Sequence, residues 1–192
     1  TDPDADRVGI VVKNNEGQFV ILNGNQAATL LIHYLLSKWS ENGKLKGKEY
    51  IVKTIVTTEL LAAMAARFNV TCYDVLTGFK YIADVIKTFE GQQTFIGGGE
   101  ESYGYLAGEF VRDKDAVMSC ALIAEATAVA RDQGKSMYQQ LLDIYCQFGL
   151  YREKLLSVEK KGKSGQEEIQ RMMLAFRKNP PASINGSALV EV

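Results

Sequence analysis

The feature that most constrains the fold is an alternation of short apolar strands with helical segments in the middle of the chain. Residues 50–56 are mostly apolar and rich in β-branched side chains, which is typical of a buried strand, and further short strands are predicted over 70–75 and 94–96. Between them, the apolar residues of 59–68 and 81–89 recur at helical spacing. Strands that alternate with helices form a parallel or mixed sheet with helices on its faces. We therefore predict an α/β fold with a mixed sheet flanked by helices.

A β-hairpin is predicted to precede this sheet. Its strands are expected over 8–12 and 19–22, joined by a polar turn in which Gly17 supplies a positive φ. A helix is predicted over 27–39, with Asn25 as its N-cap. The junction between hairpin and helix is the predicted domain boundary.

The second half of the chain is predicted to be mostly helical. Apolar periodicity and terminal signals indicate helices over 115–133, 137–148 and 166–177. Strands are predicted over 151–159 and 188–192. The last of these resembles the start of an element that continues beyond the sequence.

Composition places the chain among ordinary globular proteins. It has 192 residues, of which 46% are hydrophobic and 23% charged, so it can bury a sizeable core. Its net charge is -1 with both signs interspersed, which disfavours nucleic acid and anionic membranes as partners. No apolar run approaches the roughly 20 residues that span a bilayer, and no signal-peptide pattern is present. We predict a cytoplasmic protein with no nucleic-acid or membrane partner.

The cysteines and the single histidine do not form a reactive group. Cys72, Cys120 and Cys146 are scattered among apolar or aromatic neighbours, which favours buried, reduced thiols over disulfides or zinc ligands. His33 lies in an apolar helical segment and is interpreted as a packed helix residue. A histidine-based catalytic triad is therefore not predicted.

The first residues carry a candidate metal site. Asp2, Asp4 and Asp6 alternate along the chain and are followed by Arg7. Alternate side chains of an extended segment point the same way, and a turn at Pro3 would bring Asp4 toward the other two. Carboxylate oxygens suit a hard divalent cation, Mg²⁺ or Mn²⁺. The alternative is a solvated acidic turn before a strand.

A calcium loop of the EF-hand type also begins with alternating acidic residues, but the rest of its pattern is missing. That loop needs glycine at its sixth position and glutamate at its twelfth. Counted from Asp2, those positions hold Arg7 and Lys13. The EF-hand interpretation is therefore excluded.

A glycine-rich segment over 97–104 forms the second candidate site. It follows a predicted strand, where open α/β sheets place ligands. Glycines let a backbone approach a ligand, and Glu100 with Ser102 can present an acceptor and a hydroxyl to vicinal sugar hydroxyls. The charged run over 112–115 would add cations for a phosphate. The alternatives are a simple turn and a solvated helix cap.

Together these motifs resemble the α-D-phosphohexomutase family, which comprises phosphoglucomutases and phosphomannomutases. Four motifs stand in the family's order, namely Asp-x-Asp-x-Asp-Arg at 2–7, Leu-Thr-Gly-Phe-Lys at 76–80, Gly-Glu-Glu-Ser at 99–102 and Arg-Asp-Lys-Asp at 112–115. Family members have four domains, and the resemblance implies a fragment of such an enzyme. Residues 1–24 would end domain 2, residues 25–160 would form domain 3, and residues 161–192 would be a linker helix and the start of domain 4.

The resemblance also implies a role for each candidate residue. The implied metal ligands, for Mg²⁺, are Asp2, Asp4 and Asp6. The implied substrate contacts are Arg7 to a phosphate beside the metal, Glu100 and Ser102 to sugar hydroxyls, Lys114 to the phosphosugar, and Thr77 and Gly78 along the same cleft. No catalytic residue is expected in this chain, because its sequence contains no phosphoserine loop of the family type.

The implied reaction interconverts hexose 1-phosphate and hexose 6-phosphate through a phosphoserine and a bisphosphate intermediate. Pro3 and Ala5 at the spacer positions of the metal loop, together with the sugar loop at 100–104, resemble the phosphoglucomutase and phosphopentomutase-like branch more than the phosphomannomutase branch. Phosphoglucomutase is the activity that we predict, and the alternatives within the family are phosphopentomutase and phosphomannomutase. A non-catalytic module that binds a cation or a phosphosugar, or a purely structural domain, would also fit these residues. The expected partners are a phosphosugar and domains 1 and 4 of the parent chain. Without those domains, we expect these residues to be inactive and to bind Mg²⁺ weakly.

Overall fold

The structure is a computed structural model that describes residues 1–155, 157–184 and 186–188. The chain divides into two compact units, Thr1–Glu153 and Lys154–Val192, and each is described by itself. Across the described ranges, no helix combines the length and apolar character needed to cross a bilayer.

The first unit contains six strands and five helices within its described residues. In chain order they are β1 (Ile10–Lys13), β2 (Phe19–Leu22), α1 (Gly24–Glu41), β3 (Glu49–Thr54), α2 (Leu60–Arg67), β4 (Thr71–Val75), α3 (Phe79–Thr88), β5 (Thr94–Gly99), β6 (Tyr105–Ala107), α4 (Ala116–Asp132) and α5 (Met137–Phe148).

The predicted N-terminal hairpin is confirmed. Strands β1 and β2 pair antiparallel, with Ile10 opposite Leu22 on a buried face. Gly17 has a φ of +79° in the turn, as its position predicts. The other face carries Phe19 and Ile21, which are 73% and 74% exposed.

Helix α1 begins earlier than predicted because Asn23, not Asn25, caps it. The Asn23 side chain accepts from the Gln26 backbone N–H at 2.9 Å, and the Gln26 side chain accepts from the Asn23 N–H at 3.0 Å. This reciprocal capping box needs partners three residues apart, a spacing that Asn23 and Gln26 have. Asn25 lies inside the first turn, where its Oδ1 accepts from the Thr58 N–H at 3.1 Å.

The mixed sheet flanked by helices is also confirmed. Its strand order is β4-β3-β5-β6, with β3 parallel to both β4 and β5, and β6 antiparallel to β5. All six residues of β3 are buried, as expected for a central strand with core on both faces. One core lies among Ile51, α1, α2, α4 and α5, and the other lies around Tyr50 and α3.

The glycine-rich segment 97–104 matches its prediction only in part. Its first three glycines continue strand β5 instead of forming a loop, and residues 105–107 form the unpredicted strand β6. These glycines serve close packing: a Cβ on Gly98 would overlap the Val52 carbonyl oxygen, and one on Gly97 would lie 2.8 Å from a Leu35 methyl carbon. A run of glycines usually predicts the end of a strand, whereas these glycines allow neighbouring elements to pack closely against the strand.

The remaining helices largely follow the predictions. Helix α5 has its predicted bounds, and α4 begins after an Asp115 N-cap whose side chain accepts from the Met118 N–H at 2.9 Å. The prediction of buried cysteines is wrong for two of the three. Cys120 and Cys146 are exposed on the surfaces of α4 and α5, and only Cys72 is partly buried.

The second unit contains α6 (Gly162–Lys178) and a short antiparallel pair, β7 (Ser183–Ile184) and β8 (Ser187–Ala188). Helix α6 starts before the predicted residue 166. The strand predicted over 151–159 is wrong for residues 151–155 and 157–159, which have no regular secondary structure; residue 156 lies outside the described residues. Of the strand predicted over 188–192, residues 189–192 also lie outside them.

Candidate functional site

The three aspartates of the first loop lie close together. One carboxylate oxygen from each of Asp2, Asp4 and Asp6 lies within 4.8 Å of the others. The backbone holds this arrangement, since the Asp2 N–H donates to the Arg7 carbonyl at 3.2 Å and the Ala5 N–H donates to the Asp2 carbonyl at 3.2 Å. Ala5 has a φ of +56°, so the chain turns sharply at this spacer position. Three converging carboxylates form a donor set that fits a hard cation such as Mg²⁺.

Two basic side chains offset part of this negative charge. The Arg7 Nε lies 3.5 Å from Asp2 and 3.3 Å from Asp6, and the Lys114 Nζ lies 3.0 Å from Asp6. The Arg7 backbone N–H, at 3.1 Å from its carboxylate, is the main cause that holds the pKa of Asp2 below its usual value. Burial lowers the pKa of Lys114, but its bonds to Asp6 and Asp113 outweigh this and raise it above the usual value. The acidic loop therefore stabilises the charged form of Lys114.

Backbone contacts join the acidic loop to the loop 100–104. Arg7 pairs with Gly104 in a single antiparallel bridge, and the Val8 N–H donates to the Tyr103 carbonyl at 3.1 Å. The Ala5 carbonyl accepts from the Ala116 N–H at 3.1 Å, at the start of α4. The acidic loop and the loop 100–104 are therefore in direct contact.

The loop 100–104 is a tight turn between β5 and β6. The Glu100 N–H donates to the Gly104 carbonyl at 2.9 Å, and Tyr103 adopts a φ of +74°. The Glu100 carboxylate accepts from the Gly78 N–H at 3.0 Å, which ties the loop to the start of α3. Ser102 lies in the same turn and is half-buried.

Lys114 lies where all four sequence motifs meet. Its ammonium is 5.7 Å from the centre of the Phe79 ring, in addition to its contact with Asp6. A Cβ on Gly104 would collide with the aliphatic stem of Lys114 and would lie 3.5 Å from a Glu100 oxygen. The motifs at 2–7, 76–80, 99–102 and 112–115 therefore converge around this lysine, although up to about 110 residues separate them along the chain.

The predicted site residues thus fall into one neighbourhood. Contacts of the acidic loop link Asp2, Asp6, Arg7 and Lys114, and Asp4 joins them through the carboxylate cluster. In the second group, Glu100 contacts the backbone of Gly78, and Ser102 lies in the same turn as Glu100. Thr77 is exposed and precedes Gly78 in the chain.

Sequence reasoning missed a buried cation near the same edge of the sheet. Lys53 is the penultimate residue of the central strand and has a fully buried side chain, and its Nζ lies 2.6 Å from both Glu59 and Asp74. Burial lowers its pKa, but hydrogen bonds to Asp74 and Glu59 outweigh this and raise the pKa above its usual value. The available signal was a lysine inside a mostly apolar predicted strand, because a lysine is almost never fully buried unless it is paired.

A family model and curated relatives match this chain. The model described as phosphoglucomutase/phosphomannomutase, alpha/beta/alpha domain III, matches residues 23–148. The phosphoglucomutase of Staphylococcus haemolyticus is 38% identical over 192 residues, which is 100% of this chain and 34% of the relative. The phosphoglucomutase of Staphylococcus aureus strain MRSA252 is 39% identical over 186 residues, which is 97% of this chain and 33% of the relative. The chain therefore spans about a third of the length of the curated relatives it matches.

Solved structures show the same fold. A putative phosphomannomutase from Thermus thermophilus aligns with a TM-score of 0.60 and 27% identity over 78% of this chain and 30% of that one. The N-acetylphosphoglucosamine mutase of Aspergillus fumigatus, solved with GlcNAc-6P and magnesium, aligns with a TM-score of 0.57 over 84% of this chain and 34% of that one. At 16% identity, this second likeness concerns the fold alone.

Proposed function

The chain belongs to the phosphoglucomutase/phosphomannomutase family, and we propose that it supplies the metal loop and the sugar-binding domain of a phosphoglucomutase. The observation that carries this proposal is the convergence of four separated motifs around Lys114. The relatives named phosphoglucomutase, at 38% and 39% identity, support the choice within the family. The reaction proposed for the whole protein is the interconversion of glucose 1-phosphate and glucose 6-phosphate.

The proposed division of the chain follows the domains of the family. Residues 1–24 would close the domain that carries the metal loop, and residues 25–160 would form the sugar-binding domain, within which most of the matched segment 23–148 falls. Residues 161–192 would link to a further domain. The phosphoserine and the remaining phosphate contacts would come from other domains of a protein about three times as long.

In this scheme the acidic loop and the basic residues beside it would bind the phosphate group of the substrate. Asp2, Asp4 and Asp6 would hold Mg²⁺, which when bound neutralises charge on a phosphoryl group during transfer. Arg7 is 53% exposed and can donate from its guanidinium to a phosphate oxygen beside this loop. Lys114 adds a second positive charge on the side of the sugar loop.

The turn 100–104 would recognise the sugar. Glu100 can accept from sugar hydroxyls while its other contact fixes it to the Gly78 N–H. Ser102 can donate to or accept from a hydroxyl. A mutase must accept its sugar phosphate in two orientations, and an acceptor with an adjacent hydroxyl suits vicinal hydroxyls presented either way round.

Glu100→Gln in the full-length protein tests this function. We expect kcat/KM for glucose 1-phosphate to fall roughly 10- to 100-fold, because a charged acceptor for sugar hydroxyls is lost. Coupled assay of glucose 6-phosphate formation measures the change, with Glu109→Gln in the loop after β6 as the control. Full activity of the Glu100 variant, or a higher kcat/KM of the parent protein for mannose 1-phosphate or ribose 1-phosphate, would contradict the proposal. The 192-residue chain alone is expected to be inactive.

Magnesium affinity of the 192-residue chain gives a second test. We expect a dissociation constant weaker than about micromolar, because Mg²⁺ must compete with Arg7 and Lys114 for the carboxylates. Asp4→Asn should remove the remaining binding heat in a calorimetric titration, whereas the remote control Asp143→Asn should leave it unchanged. Binding that is tighter than micromolar, or insensitive to Asp4→Asn, would refute this expectation.

The cytoplasmic location remains a prediction from the sequence.

A further inference from the structure

Glu101 stands between the two residues that the proposed function assigns to sugar recognition, yet its side chain is bound on the protein side. Its Oε2 accepts from the Thr54 hydroxyl at 3.0 Å and from the Thr57 hydroxyl at 3.3 Å. Glu100 makes its contact elsewhere, to the Gly78 N–H at the start of α3. Adjacent residues of one turn are thus held by two different elements.

The two threonines form a buried anchor for this carboxylate. Their exposed fractions are 0% for Thr54 and 2% for Thr57, and their hydroxyl oxygens are 2.8 Å apart. Each hydroxyl has a single proton, so either both donate to Glu101, or one of them donates to the other, which then donates to Glu101. In both arrangements the carboxylate is the final acceptor, and a hydrogen bond to a charged acceptor is stronger than a neutral one.

The anchor itself lies on a hydrogen-bonded turn. The Thr57 N–H donates to the Thr54 carbonyl at 3.0 Å, and the buried Lys53 ammonium donates to the Thr57 carbonyl at 3.3 Å. The side chain of Asn25, in the first turn of α1, accepts from the next backbone N–H along. The hydroxyls that hold Glu101 are therefore fixed relative to both the central strand and α1.

We propose that Glu101, Thr54 and Thr57 are positioning residues that orient Glu100 and Ser102 toward the sugar hydroxyls. The inference rests on the proposed function, because it assigns these residues to the same sugar-binding turn. The turn spans only five residues and closes on the Glu100–Gly104 hydrogen bond, so anchoring its second residue restricts the first and third. Small displacements of such groups are costly in rate, because hydrogen bonding to a substrate depends steeply on distance and angle.

The test is sugar discrimination by the full-length enzyme. The probes are glucose 1-phosphate and 3-deoxyglucose 1-phosphate, because the 3-hydroxyl belongs to each vicinal pair of free hydroxyls on the first sugar. Thr54→Val keeps the shape of the side chain and removes the hydroxyl. We expect kcat/KM for glucose 1-phosphate divided by kcat/KM for 3-deoxyglucose 1-phosphate to fall about tenfold in this variant and to recover in Thr54→Ser.

Two further variants keep the test decisive. Glu101→Leu removes the acceptor and should lower the same ratio, which covers the case in which Thr54→Val does not fold. Thr127→Val is the matched control, since the Thr127 hydroxyl donates only to the Ile123 carbonyl within α4, and its ratio should match that of the parent enzyme. A purely structural defect would lower both kcat/KM values and leave their ratio unchanged.

The outcomes separate this inference from the function on which it rests. If Glu100→Gln lowers the ratio but Thr54→Val and Glu101→Leu do not, the positioning role is refuted and the sugar-binding role of Glu100 stands. If Glu100→Gln also leaves the ratio unchanged, the proposed sugar recognition is refuted and the positioning role with it. A reduced ratio in all three variants, restored by Thr54→Ser, supports both.

Discussion

Gly24→Ala is expected to destabilise the first unit by about 3 kcal/mol or more, although helix propensity alone predicts the opposite sign. Gly24 is the first residue of α1, where alanine is ordinarily the better helix former. A Cβ on Gly24 would overlap the carbonyl oxygen of Glu101 and would lie 2.5 Å from its carbonyl carbon. Real Cβ atoms do not approach backbone atoms so closely, so either α1 or the turn must move.

Neither element can move freely. The Tyr105 hydroxyl donates to the Gly24 carbonyl at 2.7 Å from a buried position, and the Asn23 capping box fixes the start of α1. On the other side, the Glu101 carboxylate is bound to Thr54 and Thr57. Relief of the overlap must therefore break hydrogen bonds that are buried or partly buried, and each such loss costs about 1–3 kcal/mol.

Thermal and urea unfolding of the 192-residue chain would measure this effect. For a protein of this size, about 3 kcal/mol corresponds to a decrease in Tm of roughly 6–12 °C. Gly9→Ala is the matched control, because its Cβ would meet no atom within 4 Å, and its change should stay within about 0.5 kcal/mol. Equal stability of the two variants would show that α1 and the turn 100–104 are not in contact in solution.

The sequence predicted the order of most elements because their signals are local. The β-branched run in β3, the helical period of α5 and the polar turn at Gly17 each reflect a preference of neighbouring residues. The prediction failed where the decisive contact is distant. Gly97 and Gly98 belong to a strand because α1 and β3 pack closely against them, and no local pattern distinguishes that role from a loop.

The candidate site shows the same division. Four motifs in family order could be identified from residue types alone, and the structure brings them together around Lys114. The contacts that assemble them could not be predicted in the same way. The bridge between Arg7 and Gly104 and the anchoring of Glu101 by Thr54 depend on how the chain folds back, which residue spacing does not determine.

Among the contacts that residue spacing does not determine, those of Lys53 have the largest expected effect on stability. Its side chain is fully buried, whereas the side chains of its partners Glu59 and Asp74 are 62% and 47% exposed. The three charges therefore differ in what happens when a partner is removed. A carboxylate that loses Lys53 can turn toward water, but the ammonium that loses both carboxylates remains buried without a counter-charge.

This asymmetry predicts unequal costs for two variants of similar shape. Glu59→Gln combined with Asp74→Asn should destabilise the chain by about 3–5 kcal/mol, the range for leaving one charge of a buried pair uncompensated. Lys53→Met keeps most of the aliphatic stem and should cost less, about 1–2 kcal/mol, because the remaining carboxylates are solvated. Urea unfolding at pH 7 would measure both changes. A larger loss from Lys53→Met than from the double variant would contradict the argument.

The pH dependence of stability should also differ between these two backgrounds. In the parent chain, the folded-state pKa of Lys53 is raised above its ordinary value of 10.5, so the stabilisation from its ion pairs is present below that value and is lost as the pH rises through the folded pKa. In the double variant, burial acts without counter-charges and lowers the folded pKa below the unfolded value. The unfolded state then binds more protons than the folded state between those two values, so stability should rise with pH in that alkaline range. The free energy of unfolding should therefore fall with pH above 10.5 in the parent chain and rise with pH below 10.5 in the double variant, and Lys53→Met should show neither contribution. The same pH dependence in all three proteins would mean that Lys53 is not buried with its charge.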